Sequence, residues 1–331
     1  MFQLSGRDEA MSQIKEQNPW VKVLALTVGL PIIIALILFA FLAPSMNSGA
    51  NELPVAVSAP EQVAAGMEQE AGDAIEVTTM EAADVVEGIE NREYIGGLAM
   101  NPDMTVTMYK ASGNGTPYGT MLDGMAEGLR AQGMTVNVED LAPLGEGDAT
   151  GSGLAMIGLP LAFGGMISGV LITGLLKRRP WIKVAASALV SLAAGFVVAA
   201  IMMYGYDLFE GSYFATSMAI AAGVAAISLV AVGLGELFGM AGIGLTAILV
   251  IFLSNPLSGL ATGWWILPKP WGFIGQLMPI GATGNLVRSV EYFDGNGATM
   301  SIWVLICWIA VGLACVWLGS LRKPADKLNV E

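Results

Sequence analysis

Six stretches of the chain combine enough length with enough apolar residues to be predicted as membrane-spanning helices. They cover residues 20–43, 154–176, 181–203, 213–234, 238–254 and 299–320. A helix needs about 20 predominantly apolar residues to cross the hydrocarbon layer of a bilayer. A cleaved secretory signal is the alternative for the first stretch, but this apolar run exceeds the about 7 to 15 residues of a signal-peptide core. The pattern predicts a polytopic α-helical membrane protein with six transmembrane helices.

Residues 44–151 follow a different pattern, in which short runs of β-forming residues alternate with helical ones. Segments with strand composition lie at 54–58, 75–80, 95–100, 104–111 and 134–140, and helical segments lie at 60–72, 81–93 and 116–133. The region carries 18 acidic and three basic side chains, a net charge of −15, which is typical of a domain in water. The order β-α-β-α-β-β-α-β predicts a small α/β domain between the first and second membrane helices.

A glycine-rich stretch in this region, SGNGTPYGT at 112–120, joins the fourth strand to the third helix. Its GxGxxxG spacing differs from the dinucleotide-binding pattern, and its acidic surroundings would repel a pyrophosphate. We therefore predict a tight turn, with Thr116 as the helix N-cap and Pro117 at the first helical position.

The segment 255–298 is apolar but interrupted by four prolines, which we interpret as structural breaks. They are Pro256, Pro268, Pro270 and Pro279. Irregular backbone is tolerated at membrane depth only when it is packed in protein or lines a cavity. The segment therefore predicts a reentrant hairpin, with Trp264, Trp265 and Trp271 at the membrane interface. The pattern fits a structural plug that closes the helix bundle and equally a gate for a departing lipid.

Basic residues set the predicted orientation, because cytoplasmic loops of membrane proteins are enriched in Lys and Arg. Ten basic side chains fall on one side of the predicted membrane: Arg7, Lys15, Lys22, Lys177, Arg178, Arg179, Lys183, Arg322, Lys323 and Lys327. We expect residues 1–19 and the tail 321–331 to be cytoplasmic, with helices 2–5 in residues 152–254. The acidic domain and the hairpin at 255–298 are then extracytoplasmic.

The residue inventory excludes several classes of enzyme. The chain has no histidine, which removes serine–histidine and cysteine–histidine nucleophiles and histidine metal sites. It has no GxxxxGK[ST] phosphate loop, so any ATP must be hydrolysed by a partner. The motif DGNG at 294–297 lacks the remaining ligands of a calcium loop and is predicted to be a turn. We expect no catalytic residues, cofactor, bound metal or nucleic-acid partner.

The two cysteines, Cys307 and Cys315, lie eight residues apart in one predicted helix. That spacing separates their Cα atoms by about 12 Å, which is too far for a disulfide. Pairs of glycines four residues apart, Gly165/Gly169 and Gly235/Gly239, predict close helix packing within a protomer or between protomers.

Glu236 is a candidate contact for a cytoplasmic partner. Counted at about 1.5 Å per residue from Tyr213, it falls near the cytoplasmic boundary of its helix. It is either a solvated turn residue or part of a docking surface with the basic residues Lys177, Arg178 and Arg179.

Arg288 and Glu291 lie three residues apart in a helix predicted after Pro279. They either form a surface salt bridge worth at most about 1 kcal/mol, or Arg288 contacts anionic lipid headgroups.

Five stretches of the sequence carry a resemblance to a known family. They are LPVAVSAPE (53–61), REYIGGLAM (92–100), VEDLAPLGEGDATGSGLAM (138–156), LGELFGMAGIG (234–244) and NPLSGLATGWWILPKPWGFIGQLMPIGATGNLVRSVEYFDG (255–295). With these stretches and its order of helices and domain, the chain resembles the phage infection protein (YhgE/Pip) branch of the ABC type-2 transporter membrane-subunit (permease) superfamily over essentially its whole length. The resemblance implies a reentrant hairpin on the external side between the last two spans.

The resemblance implies a membrane subunit of an ABC type-2-like export system in the bacterial plasma membrane, acting on cell-envelope lipid, glycolipid or polymer. Its partners would be membrane lipids, a cytoplasmic ATPase subunit, and a second copy or a larger envelope complex. The connection KRRPWIK (177–183) departs from the family, because it is too short for a coupling helix that docks an ATPase. The alternative function is therefore a non-transporting envelope scaffold or receptor subunit of a larger membrane complex.

Overall fold

The computed structural model describes residues 19–46, 49–176 and 179–321, and the chain divides after Met46 into two units. The first unit contains helix α1 (Pro19–Met46), whose 28 residues include the predicted first span. The second unit contains an α/β domain and the remaining helices, and the predictions for residues 1–18, 177–178 and 322–331 lie outside the described residues.

The α/β domain is a five-stranded sheet with three helices. Its strands are β1 (Leu53–Ser58), β2 (Ile75–Thr79), β3 (Gly96–Met100), β4 (Val106–Lys110) and β5 (Val136–Asp140), and its helices are α2 (Glu61–Ala71), α3 (Ala82–Glu90) and α4 (Thr116–Ala131). The predicted order β-α-β-α-β-β-α-β is confirmed. The strands lie in the order β2-β1-β3-β4-β5, and β3 and β4 run antiparallel while the other neighbours are parallel.

Alternation along the strands builds a core on each face of the sheet. Val55 and Val57 of β1 pack in one cluster with Leu122 of α4. Ala56, between them in sequence, packs on the other face with Val85 of α3. Successive strand residues point to opposite faces, so the sheet is covered by α2 and α4 on one side and by α3 on the other.

The turn predicted before α4 is present, but its cap differs from the prediction. A 3-10 turn at Ser112–Asn114 precedes the helix, and Pro117 lies in the first helical turn as predicted. The N-cap is Gly115, whose φ of 147° suits glycine. The hydroxyl of Thr116 instead donates to the carbonyl oxygen of Thr150 at 2.8 Å, because the chain folds back onto this turn.

Seven helices follow the domain within the described residues up to 321. They are α5 (Gly153–Leu175), α6 (Pro180–Gly205), α7 (Tyr213–Phe238), α8 (Met240–Ser254), α9 (Trp271–Gln276), α10 (Pro279–Tyr292) and α11 (Thr299–Leu321). Among the described residues, α5, α6, α7 and α11 are long and apolar enough to cross a membrane. The chain is therefore a multi-pass helical membrane protein with a small α/β domain.

The predicted fifth span at 238–254 corresponds to the shorter helix α8. Gly239, with a φ of 62°, ends α7. The following Met240–Ser254 extends only about 22 Å at 1.5 Å per residue, less than the roughly 30 Å of a bilayer core. It is an apolar helix shorter than the four candidate spans, and its full crossing of a membrane stays a prediction.

Helix α7 lies at the centre of the helices in the second unit, where it contacts α5, α6, α8, α10 and α11. A Cβ atom added at Gly165 of α5 would lie 2.7 Å from Ile227 of α7, and one added at Gly169 would lie 3.0 Å from the carbonyl oxygen of Ser228. The first predicted glycine pair therefore packs within one chain. A Cβ atom added at Gly235 would lie 3.3 Å from Thr173 of α5, whereas Gly239 ends α7.

The hairpin region, residues 255–298, is broken at its prolines as predicted. Pro256 lies in the turn after α8, Pro268 and Pro270 precede α9, and Pro279 begins α10. The Lys269–Pro270 peptide bond is cis. Ile280 and Val287 of α10 belong to the same buried core as α7, so the second half of the hairpin region is part of the helix bundle.

Side-chain hydrogen bonds connect separate parts of the hairpin region with each other and with the end of α8. The hydroxyl of Ser254 accepts a 2.9 Å hydrogen bond from the amide of Ile280 in the first turn of α10. The side-chain amide of Gln276 donates to the carbonyl oxygen of Ser258 at 3.0 Å. Two backbone groups that lack a partner within a helix are thus bonded to side chains, as irregular backbone away from water requires.

Candidate functional site at the hairpin region

A pocket of about 310 Å³ lies where the hairpin region meets the residues that lead into β1. We call it the hairpin pocket, and its lining residues are Asn51, Glu52, Trp264, Trp265, Leu267, Lys269, Pro270, Gly272 and Phe273. The amide of Gly49 donates to the carbonyl oxygen of Ile266 at 3.1 Å, which ties the two sides of the pocket together.

Adjacent tryptophans form the aromatic wall of the pocket. The rings of Trp264 and Trp265 stack with centroids 4.7 Å apart and an interplanar angle of 27°. Trp265 also lies edge-on to Tyr118 of α4, at 6.0 Å between centroids. Trp265 thus packs against the core of the α/β domain, and its predicted role at the membrane interface stays a prediction.

Tyr118 anchors this wall from the domain side. It is fully buried, and its hydroxyl accepts a 3.1 Å hydrogen bond from the backbone amide of Trp265. Burial raises the pKa of Tyr118 to about 12, so the phenol is neutral at pH 7. Gly263, with a φ of 81°, lies directly against the Tyr118 ring and leaves no room for a side chain.

The rim of the pocket is polar and charged. The ammonium of Lys269 forms an ion pair with the carboxylate of Glu52, and their side chains are 63% and 56% exposed. A pair this exposed contributes about 0–1 kcal/mol, so a ligand can displace it. Phe273 and Trp271 are each 50% exposed, but of these two only Phe273 lines the pocket.

This combination suits a ligand with one apolar face and several hydroxyl groups. An aromatic wall packs against apolar surface, and a few polar groups at its edge fix the orientation of the ligand. Indole rings with a neighbouring amide, carboxylate and ammonium can hold the C–H face of a sugar ring while bonding its hydroxyls. The pocket volume falls at the lower end of the roughly 300–1,000 Å³ typical of small-ligand sites.

A buried arginine joins the α/β domain to α10. The guanidinium of Arg92 donates to the carbonyl oxygen of Asn285 at 3.1 Å, to its side-chain oxygen at 2.5 Å and to the hydroxyl of Ser289 at 2.5 Å. Its Nε donates to Asn114 at 3.3 Å. The side-chain amide of Asn285 continues to the hydroxyl of Ser301 in α11 at 3.0 Å. We call these five side chains the arginine joint.

The backbone and charge of Arg92 are both unusual. Its φ of 63° lies in the left-handed region, which costs a non-glycine residue about 1–2 kcal/mol. Burial and the nearby Arg288 lower the pKa of Arg92 to about 9, so it remains a cation at pH 7. Its guanidinium lies 5.1 Å from the ring centroid of Phe293, which offers a cation–π contact.

Arg288 differs from both of its predicted roles. It is only 5% exposed, and its terminal nitrogen donates to the carbonyl oxygen of Leu260 at 3.1 Å. Its Nε has no hydrogen-bond partner in the part of the chain that the structure describes. The predicted surface salt bridge with Glu291 is not formed. A side chain this buried is not available to lipid headgroups, because α10 turns it toward the chain between α8 and α9.

Glu291 bonds instead to the loop before α7 and to α7 itself. Its carboxylate accepts hydrogen bonds from the backbone amide of Gly211, at 2.8 Å, and from the hydroxyl of Thr216. Burial raises the pKa of Glu291, although both hydrogen bonds oppose that shift. This carboxylate therefore fixes the start of α7 against α10.

Glu236 lies in α7 and is paired within the chain, so it is not a solvated turn residue; its contact with a cytoplasmic partner stays a prediction. Its carboxylate forms an ion pair with Lys183 of α6, whose side chain is 3% exposed. The same ammonium donates to the carbonyl oxygen of Thr173 at 3.2 Å. Lys183 therefore lies at the C-terminal ends of α5 and α7, where helix dipoles favour a cation.

The other basic residues predicted to contact a cytoplasmic partner lie around the start of α6. Arg179 immediately precedes α6 and is exposed, and Lys177 and Arg178 lie outside the described residues. The role of all three stays a prediction.

Sequence reasoning missed Arg92, Tyr118 and Lys183 as structural residues. Arg92 offered one signal, since it is one of only three basic side chains in the acidic region 44–151. Tyr118 and Lys183 gave no comparable signal, because their partners lie far away in the sequence.

The fold and the site define a multi-pass helical membrane protein whose small α/β domain is bonded to a broken apolar segment between α8 and α11. No protein family, curated protein or solved structure matches this chain.

Proposed function

We propose that this protein is the membrane subunit of an ABC type-2-like export system that handles a cell-envelope glycolipid, or a related lipid or polymer, at the hairpin pocket. The observation that carries the proposal is the stacked pair Trp264 and Trp265 beside the polar rim of Asn51, Glu52 and Lys269.

Charge favours a neutral saccharide headgroup over an anionic one. Lys269 is neutralised by Glu52 within the pocket. The region 44–151 carries a net charge of −15, which repels anionic ligands over long range. A neutral sugar attached to acyl chains avoids this repulsion and packs on the aromatic wall.

The rest of the assembly follows from the same proposal. Both termini and Arg179 lie on the cytoplasmic side of a bacterial plasma membrane, and the α/β domain and hairpin pocket lie outside. The sequence has no phosphate loop, so a cytoplasmic ATPase subunit supplies the energy and a second copy or larger envelope complex completes the transporter.

Lipid competition in native mass spectrometry tests the pocket. The protein is presented with equimolar diglycosyl diacylglycerol and phosphatidylglycerol that carry the same acyl chains. We expect the glycolipid adduct to dominate and Trp264→Ala to reduce it about tenfold, the effect of losing about 1.4 kcal/mol. Trp303→Ala is the matched control, since Trp303 is 63% exposed on α11 and away from the pocket. Equal losses in both variants, or no preference for the glycolipid, would contradict the proposal.

A second function is favoured by the arginine joint. A domain bonded to α10 through a buried guanidinium is suited to a fixed scaffold or receptor that holds envelope proteins without moving substrate. Affinity purification in mild detergent separates the two functions. A stoichiometric ATPase would support the exporter, whereas recovery with envelope proteins and no ATPase would support the scaffold.

A further inference from the structure

A second cavity, of about 390 Å³, lies on the α/β domain between α2 and α4. We call it the methionine groove. Its apolar lining is Met67, Ala71 and Ala74 on one side and Met121, Met125 and Leu129 on the other, with Ile75 at its base. The groove arises because only two helices cover this face of a five-stranded sheet.

The walls of the groove are regular and partly exposed. Met121, Met125 and Leu129 recur every four residues along α4, and each is only partly buried. Thioether side chains are flexible and polarizable, so methionines repack around apolar surfaces of different shape. A groove with such walls matches the apolar face of an amphipathic helix.

Two glycines on α4 leave part of the groove without side chains. Gly124 and Gly128 line the groove, and a Cβ atom added at either position would meet no heavy atom within 4 Å. Glycine costs about 1 kcal/mol in a helix relative to alanine. Here it leaves the α4 backbone open to close approach by another chain.

The charge around the groove identifies the occupant. Acidic residues outnumber basic ones on these elements: α2 and the 3-10 turn after it carry Glu61, Glu68, Glu70 and Asp73 and contain no Lys or Arg in their sequence. On α4, Asp123 is paired with Lys110 of β4, which leaves Glu127 and Arg130. The guanidinium of Arg130 is turned to the carbonyl oxygen of Val136, at 2.9 Å. Glu70 lines the groove itself, so a ligand that enters it meets negative charge.

We propose that the methionine groove binds the apolar face of a basic amphipathic helix from a partner protein. This surface is separate from the hairpin pocket, so the proposal does not depend on the transport function. Apolar side chains of the helix enter between α2 and α4, and its Lys or Arg residues meet Glu70 and the other acidic residues of α2.

The test measures peptide binding to the full chain in nanodiscs of zwitterionic lipid, with empty nanodiscs as the blank. The probe is a fluorescent Lys/Leu peptide of about 18 residues, five helical turns, and its control has the same composition in scrambled order. We expect saturable binding that is at least about tenfold tighter for the amphipathic order and that weakens as salt is raised.

A pair of glycine variants assigns the binding to the groove. Gly128→Leu fills the groove and favours the helix, so the protein should fold while peptide affinity falls at least about tenfold. Gly66→Leu is the control, because Gly66 lies on α2 outside the groove and also has open space around it. Equal affinity for the two peptides, or equal effects of the two variants, would overturn the proposal. A Gly128→Leu protein whose native mass drops from a dimer to a monomer would also overturn it, since the groove would then hold a second copy.

Discussion

The guanidinium of Arg92 donates a 3.1 Å hydrogen bond to the main-chain oxygen of Asn285, a residue 193 positions later in the chain. Arg92 follows α3 of the α/β domain, and Asn285 lies in α10. Because Asn285 also bonds to Ser301 of α11, the domain is connected through α10 to a membrane helix. The hairpin region therefore links the α/β domain to the helix bundle through hydrogen bonds, whether or not it binds a ligand.

Replacing Arg92 should weaken the attachment of the α/β domain to α10 and lower the stability of the protein. Arg92→Met removes four hydrogen bonds and leaves the oxygens of Asn114, Asn285 and Ser289 buried without this donor. We expect the free energy of unfolding to fall by about 3 kcal/mol, since hydrogen bonds to charged groups are strong and unpaired buried groups are costly. Thermal unfolding in detergent measures the loss. Arg130→Met, which removes bonds to a single carbonyl oxygen at an exposed position, should cost less than about 1 kcal/mol. Similar losses in the two variants would contradict a special role for Arg92.

The ion pair between Lys183 and Glu236 should show strong coupling. Glu236→Leu leaves the buried ammonium of Lys183 without its carboxylate, and breaking a buried pair costs about 3–5 kcal/mol. The double variant Lys183→Met/Glu236→Leu should recover most of that stability, because no charge is then left unpaired. A double-mutant cycle on unfolding free energies measures the coupling. Additive effects of the two substitutions would show that the pair does not act as a unit.

Adjacent glycines on α5 offer a matched pair for testing helix packing. Gly165→Ala forces a methyl group within 2.7 Å of Ile227, so we expect a loss of about 1–3 kcal/mol from overpacking. Gly164→Ala meets nothing within 4 Å and should be neutral or slightly stabilising. Unfolding midpoints of the two variants check the difference. If Gly164→Ala lowered the unfolding midpoint more than Gly165→Ala, that result would contradict the packing of Gly165 against Ile227 of α7.

Glu291 should make stability depend on pH. Burial raises the pKa of its carboxyl, so the folded chain binds this proton more tightly than the unfolded chain does. Its stabilising contribution is complete below the ordinary glutamate pKa, about 4.3, and is lost as pH rises through the raised folded-state pKa. The unfolding free energy of the wild type minus that of Glu291→Gln should therefore fall as pH increases through this window. The measurement is thermal unfolding of both proteins from mildly acidic to neutral pH.

Glu127→Gln controls for the loss of one carboxylate at an exposed position of α4. A difference between the wild type and Glu291→Gln that stayed constant with pH, or that grew as pH rose, would contradict the shifted pKa.

Local patterns predicted the elements of this protein closely. Alternating residues such as Val55 and Val57 identified the strands, and the apolar runs identified the long helices, because both signals repeat within a few residues. Proline identified the breaks before α9 and α10 for the same reason, since its effect on the backbone is local. The predicted start of the α8 segment, residue 238, lies two residues before the observed start at Met240, because α7 continues to Phe238 and Gly239 ends it.

The sequence by itself determined a membrane protein with an acidic α/β domain and a broken apolar segment near its end. Only the tertiary structure decided that Trp265 packs on Tyr118, that Lys183 pairs with Glu236 and that Arg288 is buried. Each of these outcomes depends on which distant residue arrives as a partner. A buried charge or ring has no preferred environment until the folded chain brings that partner to it.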